Sequence, residues 1–408
     1  MTSSTRPRIP GVLALAASLA LSACVNKEDL SDPEALMSGS GSGSSSSDDG
    51  ASSATATSTT GEGTCASNDG TRTSMDIYAG PAEDPMLYGI EDVAFTDAGD
   101  VAIAFIQGNH EWAIQHADGS IDFADPPGTL AHVGLVRTVP GGRWAVANSS
   151  LFDPADWVQL VEADGTVAWN GEWVIDEQWN YIIDQLVAFP DGSALAQVSW
   201  IDDAAHGTLA HFGTDGTLLQ EIDVSGALRG RMVGTADGTV WVLQGVEGGT
   251  AVQRYTADDY TTAAQSLPLP SRWGQRLHLD AQGRPVIVSQ DLVRTGPSSE
   301  PVMWVDVLDP VSGDLVHSYN NVDTPGMGVA VDAAVGPCGE LFVVGARDYK
   351  AWIARLDEDG VAWEDQLEVD AALYADVAED GTLVVVGQSS VPDASVLTIG
   401  PWVARYEP

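Results

Sequence analysis

The chain has 408 residues, with 59 acidic residues against 17 lysines and arginines and a formal net charge of −42 at pH 7. This excess of acid argues against binding of nucleic acid or anionic headgroups through a basic patch. Because the acids are spread along the chain, they indicate a soluble, self-repelling surface and not a single acidic docking site.

Residues 1–23 have the pattern of a bacterial secretory signal. Arg6 and Arg8 precede an apolar run, Val12–Leu21, that is too short to cross a bilayer as a helix. The run ends in Leu21-Ser-Ala-Cys24, which resembles the bacterial lipobox. The resemblance implies that Cys24 receives a diacylglyceryl group, of the palmitate type, and becomes the mature N-terminus. An ordinary cleaved signal followed by a chance cysteine is the alternative. Val25 at the next position favours the outer membrane, by the enterobacterial sorting pattern.

Residues 24–64 are predicted to form a lipidated, disordered tether. They consist mainly of Ser, Gly, Thr, Ala and Asp, with almost no large apolar side chain. Such a segment buries too little surface to offset the entropy of ordering it. Residues 65–408 are predicted to be one β-propeller domain.

Seven turns recur at the 40–50-residue period that is typical of propeller blades. Each joins two strongly apolar strands and contains glycine. They lie at Asp97–Gly99, Pro140–Gly142, Pro190–Gly192, Ala236–Gly238, Ala281–Gly283, Pro337–Gly339 and Glu379–Gly381. Within each blade we name the strands a to d from the centre outwards, so that these are the a–b turns.

A second class of turn follows a strand that often opens with tryptophan. The tryptophans that share this repeat position are Trp112, Trp157, Trp304, Trp352 and Trp402, and we interpret them as core or inter-blade packing. After Trp402 the chain stops before a fourth strand, so the seventh unit is one strand short. Thr73–Tyr78 has the alternation of a half-buried strand, and we predict that it supplies the missing outer strand and removes an open sheet edge.

The unit at residues 328–360 resembles the short repeats of bacterial seven-bladed propellers. The similarity is carried by Gly328-Val-Ala-Val-Asp332, Leu341-Phe-Val-Val-Gly345 and Trp352-Ile-Ala-Arg-Leu-Asp-Glu-Asp-Gly360. It implies an all-β fold, a β-propeller of seven four-stranded blades with the last blade closed by an N-terminal strand. A propeller fold does not by itself indicate an activity.

Cys65 and Cys338 remain as a pair if Cys24 is lipidated, in a compartment that permits disulfides. Cys338 falls in the a–b turn of the sixth blade, and Cys65 precedes the strand that closes the seventh. About eight extended residues reach roughly 26 Å, enough to cross to the neighbouring blade. We therefore predict a Cys65–Cys338 disulfide, with two free thiols as the alternative.

The sequence shows no catalytic motif, and we predict a protein that is not an enzyme and carries no cofactor and no metal. The seven histidines form no zinc-type helix motif and fall mostly on different blades. Leu308-Asp-Pro-Val-Ser-Gly-Asp-Leu-Val-His317 resembles, once, the repeated turn of quinoprotein-like propellers. A single copy of this turn does not indicate a quinone enzyme. The turn also resembles that of a non-enzymatic propeller lipoprotein that assists outer-membrane protein assembly.

Propellers usually bind partners on the face formed by the d–a and b–c loops, around the channel mouth. The residues that we predict on this face are Asp184, Trp200, Arg231, Arg276 and Tyr374. Basic residues are few, so we hypothesise that Arg231 and Arg276 help hold an acidic or carbohydrate ligand. Salt bridges to nearby aspartates are the alternative.

Three functions are therefore open. The first is a monomeric binding or interaction scaffold, lipid-anchored in the cell envelope, with an unidentified protein or carbohydrate ligand. The second is a factor in envelope or outer-membrane assembly. The third is an enzyme of unrecognised type, which would need clustered titratable groups at the channel mouth.

Mass spectrometry of protein purified from its native membrane without reduction tests the anchor and the disulfide. We expect a diacylglyceryl-modified Cys24 peptide and a linked Cys65–Cys338 peptide. An unmodified Cys24 would contradict the lipid anchor. Free thiols at Cys65 and Cys338 would contradict the disulfide while leaving the propeller in place.

Overall fold

The computed structural model divides the chain into residues 1–62 and 63–408. The described residues all belong to the second unit and are 70–77, 90–96, 99–105, 112–124, 133–147, 156–173, 181–200, 206–225, 231–246, 249–270, 273–280, 282–295, 298–321, 329–336, 338–357, 360–378, 380–391 and 398–407. Cys24, Cys65 and the predicted signal and tether lie outside them. No helix in the described ranges is long and apolar enough to cross a membrane.

The described residues form seven antiparallel sheets of four strands each, as predicted. Blades one to three contain β2 (Ile90–Phe95), β3 (Val101–Phe105), β4 (Trp112–Gln115), β5 (Ile121–Ala124); β6 (Leu135–Val139), β7 (Arg143–Ala147), β8 (Asp156–Val161), β9 (Val167–Trp173); and β10 (Tyr181–Ala188), β11 (Ala194–Trp200), β12 (His206–Phe212), β13 (Leu218–Ser225).

Blades four to seven repeat this order from the centre outwards. They contain β14 (Met232–Gly234), β15 (Val240–Val246), β16 (Gly249–Tyr255), β17 (Gln265–Pro270); β18 (Trp273–Leu279), β19 (Pro285–Thr295), β20 (Ser298–Leu308), β21 (Leu315–Asn320); β22 (Val329–Val335), β23 (Leu341–Arg347), β24 (Lys350–Asp357), β25 (Gly360–Gln366); and β26 (Ala371–Val377), β27 (Leu383–Val391), β28 (Thr398–Tyr406), β1 (Arg72–Ile77).

The seventh blade takes its outer strand from the N-terminal side of the domain. Its order is β26-β27-β28-β1, and β1 runs antiparallel to β28 with Met75 opposite Ala404 and Ile77 opposite Trp402. The prediction that an N-terminal strand closes the last blade is confirmed. The strand begins one residue earlier than predicted, and Tyr78 lies outside the described residues.

The tryptophans of the c strands pack against small residues on the neighbouring b strand. Trp402 is fully buried and lies opposite Gly387, and a Cβ atom at Gly387 would come within 2.3 Å of the indole ring. Trp352 lies opposite Gly345, and Trp112 lies opposite Ala104. In these three blades a large ring fits beside the b strand because the residue opposite it is small.

The c–d turns are built by short hydrogen bonds around aspartate. Asp118 accepts from the backbone N–H of Ser120 at 2.9 Å and from its hydroxyl at 2.6 Å, and Gly119 adopts the left-handed conformation with a φ of 85°. These hydrogen bonds lower the pKa of the Asp118 carboxyl. The Asp-Gly-Ser and Asp-Gly-Thr patterns thus encode the hairpins locally.

Each junction between neighbouring blades has its own apolar cluster. One cluster joins Trp112 of the first blade to Trp144 of the second, with their rings in an edge-on contact at 6.5 Å. Corresponding clusters lie between every later pair of blades. The last joins Val384 and Val403 of the seventh blade to Ile103 of the first. The core is therefore a ring of seven apolar layers and not one central mass.

Arg405 reinforces the junction between the seventh blade and the first. It lies on β28, it is 7% exposed, and its two terminal nitrogens donate to the carbonyl of Gly99 at 2.7 Å and of His116 at 3.3 Å. Both carbonyls belong to turns of the first blade. One guanidinium thus ties two turns of the first blade to the closing blade.

We expect Arg405→Leu to lower the free energy of unfolding by about 2–4 kcal/mol, because two carbonyls lose a charged donor in a largely buried place. Urea unfolding followed by tryptophan fluorescence measures the loss. Arg143→Leu is the matched control, since Arg143 also reaches the carbonyl of Pro190 in the next blade, at 3.3 Å, but is exposed there. The control should lose less than about 1 kcal/mol. Equal losses in the two variants would contradict the role of Arg405.

Candidate functional site

The inner strands share a β-bulge near the face at which they begin. The register shifts between Ile90 and Asp92, Ile183 and Gln185, Gly274 and Arg276, Ala330 and Asp332, and Ala372 and Tyr374. Five of the seven inner strands therefore carry the irregularity at one repeat position. A bulge bends the strand and changes the direction of the next side chain.

The side chain that follows the bulge often bonds to the backbone of the next blade. Asp92 accepts from Val136 N–H at 3.0 Å, Gln185 from Met232 N–H at 3.4 Å, and Asp332 from Ala375 N–H at 3.2 Å. An inner strand has one edge with no neighbouring strand, and its buried N–H groups need acceptors. These side chains supply them, and they join one blade to the next.

Arg137 and Tyr374 add further links around the ring. Arg137 pairs with Asp92 and donates to the carbonyl of Leu186 in the third blade at 2.9 Å. Tyr374 donates its hydroxyl to the carbonyl of Glu91 at 3.1 Å, which links the seventh blade to the first. Polar side chains thus bridge junctions that the apolar clusters also cover.

Asp332 is the centre of a group of titratable side chains at the channel mouth. It is buried, forms a short hydrogen bond with Nε2 of His278, and lies 3.9 Å from Nε of Arg276. The guanidinium of Arg276 lies over the ring of Tyr374, 4.6 Å from its centroid. We call Asp92, Arg137, Arg276, His278, Asp332 and Tyr374 the channel-mouth cluster.

The charges of this cluster shift one another's ionisation. Burial alone would lower the pKa of His278, but the charge of Asp332 and the hydrogen bond to it outweigh burial, and the pKa is raised. Burial raises the pKa of the Tyr374 hydroxyl, although Arg276 opposes this. At neutral pH the tyrosine is therefore neutral and Arg276 is a cation.

The structure brings together two of the five predicted ligand-face residues, Arg276 and Tyr374. Arg231 is half-buried at the start of the fourth blade, where its carbonyl accepts from Leu243 N–H at 3.0 Å, and its side chain contacts no member of the cluster in the described part of the chain. Asp184 lies in β10 and Trp200 lies in β11, but the structure does not describe the side chains of these two residues.

Sequence reasoning missed Arg137, His278 and Asp332 as parts of this cluster. Asp332 belongs to the repeat pattern Val329-Ala-Val-Asp332, which indicated a strand and not a charged junction. The sequence feature that could have identified such a junction is a polar residue at the third or fourth position of an inner strand that is otherwise apolar.

Cys338 lies exposed in the a–b turn of the sixth blade and is disulfide-bonded. Its backbone N–H donates to Glu340 at 3.2 Å. Because Cys65 lies outside the described residues, the Cys65–Cys338 pairing stays a prediction.

A cavity of about 470 Å³ lies where β1 meets the c–d turn of the first blade. It is lined by Thr73, Ser74, Ala117, Asp118, Gly119 and Arg405. The buried cation in its wall is Arg405, which is already bonded to two carbonyls. Within the described ranges, no group of three or more His, Cys, Asp or Glu residues could hold a metal ion.

No family model and no curated protein matches the sequence, whereas solved structures match the fold. A chain of a mitotic checkpoint complex superimposes with a TM-score of 0.56 at 11% identity, over 86% of this chain and 95% of that one. The WD40 propeller domain of Doa1 gives 0.51 at 11% identity, over 78% and 93%. Virginiamycin B lyase from Staphylococcus aureus gives 0.53 at 13% identity, over 78% and 95%. At these identities the likeness shows the propeller fold alone.

The His278–Asp332 pair should make stability depend on pH. The pKa of His278 is raised in the folded protein, so its contribution is complete below the ordinary value of 6.5 and is lost as pH rises through the folded value. We expect His278→Gln to flatten the fall in unfolding free energy as pH rises above about 6. Chemical unfolding at a series of pH values measures this.

His211 provides a control of opposite sign. Burial lowers its pKa despite the nearby charge of Asp191, so its contribution is complete above pH 6.5 and is lost as pH falls. His211→Gln should therefore change the profile on its acid side. A His278→Gln profile that parallels the wild type at every pH would contradict the pairing with Asp332.

Proposed function

We propose that this protein is a lipid-anchored, non-catalytic binding scaffold of the bacterial cell envelope. In this proposal it holds an acidic ligand, such as an acidic carbohydrate, at the channel mouth. The propeller fold is compatible with this role, since propellers bind partners around the channel, but the fold does not select it.

The observation that carries the proposal is the environment of Arg276. Its side chain is 11% exposed and lies over Tyr374, while the nearest carboxylate oxygen in the described residues is 3.9 Å away, beyond hydrogen-bonding distance. Arg137, by contrast, donates to two carbonyls and pairs with Asp92. A guanidinium presents five donors, so Arg276 keeps capacity for a carboxylate or sulfate group of a ligand.

The aspartates of the cluster support a non-catalytic role. Asp92 and Asp332 each accept a backbone N–H of the following blade, and each also pairs with a side chain, Arg137 and His278 respectively. Their lone pairs are used in joining blades, which leaves little freedom for proton transfer to a substrate. Among the described residues, the salt-bridge alternative for Arg276 is met by the 3.9 Å contact to Asp332 alone.

The location is proposed from the sequence. The signal pattern of residues 1–23, Cys24 in a lipobox-like context and Val25 after it support an anchor in the outer membrane. The net charge of −42 supports a monomer, because copies of the chain repel one another. A role in envelope assembly is the alternative within the same location, and co-purification with outer-membrane machinery would favour it.

One observation favours an enzyme as the second candidate. His278, Asp332 and Tyr374 cluster beside a cation, and despite burial the charge of Asp332 raises the pKa of His278. Turnover of any compound that disappears in His278→Gln, while the ligand still binds, would favour this candidate over the scaffold.

A panel of acidic oligosaccharides and simple dicarboxylates, measured by calorimetry, tests the binding proposal. We expect an acidic member of the panel to bind, Arg276→Ala to weaken it at least tenfold, and Arg276→Lys to weaken it less, because lysine keeps the charge but loses the planar fork. Arg143→Ala is the control and should bind like the wild type, since Arg143 begins β7 beside the a–b turn, on the face opposite the channel mouth. If Arg276→Ala, alone and with Arg231→Ala, leaves every affinity unchanged, the proposed site is wrong.

A further inference from the structure

The hairpin between β23 and β24 ends in an unusual two-residue turn. Arg347 and Lys350 lie opposite each other as the last residue pair of the two strands, so Asp348 and Tyr349 form the whole turn. Their φ values are 52° and 63°, and positive values at both central positions define a type I′ turn. This turn type favours Asn-Gly, because a side chain at the second position is strained in the left-handed conformation.

The chain uses glycine for this conformation at the other described positions. Every further residue with a positive φ in the described ranges is a glycine. Asp348 and Tyr349 are therefore exceptions to the chain's own rule. Aspartate is tolerated in the left-handed region, whereas tyrosine is an outlier there.

The fold gains no packing from this tyrosine. Its side chain is 96% exposed, the largest value among the exposed large apolar side chains of the described residues. A strained residue that the core does not require indicates a function outside the fold.

The base of the turn bonds to the outer strand β25 of the same blade and to Glu368, which follows that strand. Arg347 pairs with Glu364 at 2.8 Å, and Lys350 pairs with Glu368 at 2.6 Å. Gln366 donates to the carbonyl of Arg347 at 2.8 Å. The base of the hairpin is therefore fixed, and Tyr349 projects from it without neighbours to cover it.

We propose that Tyr349 is the central contact of a docking surface for a protein partner that has an apolar pocket within a basic surface. Tyrosine is enriched among the residues that dominate protein interfaces, because it combines a large contact area with only two side-chain torsions. A side chain that projects as a knob is complemented by a pocket. At the turn itself, Asp348, Glu364 and Glu368 outnumber the two cations Arg347 and Lys350. Together with the net charge of −42 of the chain, this favours a basic partner.

This surface lies on a b–c turn, on the same face as the channel mouth, but it does not include Arg276. The proposal is therefore independent of ligand binding in the channel. A carbohydrate is the less suitable occupant, because a lone projecting ring offers no walls to hold a sugar, and a second copy of this chain is opposed by like charge.

The strain is tested first, on the full-length protein, with Asp348→Asn/Tyr349→Gly. We expect the melting temperature to rise by about 1–3 °C, because the turn residues then match the turn type. A fall of the same size would show that Tyr349 supports the fold, and it would overturn the proposal.

The partner is tested with a benzoylphenylalanine photoprobe at position 349 of the membrane-anchored protein in its native cells. Val311 is the control position, since it is 77% exposed in the c–d turn of the fifth blade, on the opposite face. We expect one discrete protein adduct at 349 that is absent at 311. The purified adduct protein should bind Tyr349→Gly at least tenfold more weakly than wild type, and Tyr349→Phe within about threefold.

Three results would overturn the proposal. They are an adduct pattern at 349 that equals the pattern at 311, an adduct with this chain itself or with glycan, and an adduct protein whose affinity is the same for wild type and Tyr349→Gly. Loss of acidic-ligand binding in Arg276→Ala has no bearing on these outcomes, so the two proposals fail separately.

Discussion

The pairing of β1 with β28 is the constraint on which the rest of the ring depends. Without β1 the seventh blade would have three strands, and β28 would expose an unpaired edge. The apolar cluster between the seventh blade and the first, together with Arg405, holds the two ends of the ring against each other. Every blade packs only on its two neighbours. A ring that is open at one junction therefore loses one of its seven apolar layers and exposes the apolar surfaces of the two blades that flank the junction.

The centre of the ring poses a second edge problem, and the chain solves it with side chains. Each inner strand bonds to a b strand on one side only, and its other edge faces the channel. Bulges redirect Asp92, Gln185 and Asp332 so that they accept N–H groups from the next blade. Charge in the channel is therefore largely structural, and a count of titratable groups at a propeller mouth overstates the potential for catalysis.

Against this background, two residues stand out because the fold does not use them fully. Arg276 is a largely buried cation without a close carboxylate partner in the described part of the chain, and Tyr349 is an exposed aromatic in a strained conformation. Apart from Asp348, which shares its turn, every other residue with a positive φ in the described ranges is a glycine, and this makes Tyr349 informative. Both lie on the face where the channel opens, so binding functions would share one side of the molecule.

The sequence by itself determined the blade count, the turns and the closing strand. These depend on local patterns: Asp-Gly turns at a regular spacing, tryptophans that recur at one repeat position, and a seventh unit that lacks one strand. Only the tertiary structure decided which polar side chains meet. Arg276 and Tyr374 come from the fifth and seventh blades, and Asp332 of the sixth blade contacts both His278 and the backbone of Ala375. Such contacts depend on the rotation between blades and on one-residue bulges, which turn a side chain towards the next blade or away from it. The repeat period places Arg231 and Arg276 at similar positions, but it does not encode those shifts, and the structure brings only Arg276 into the cluster.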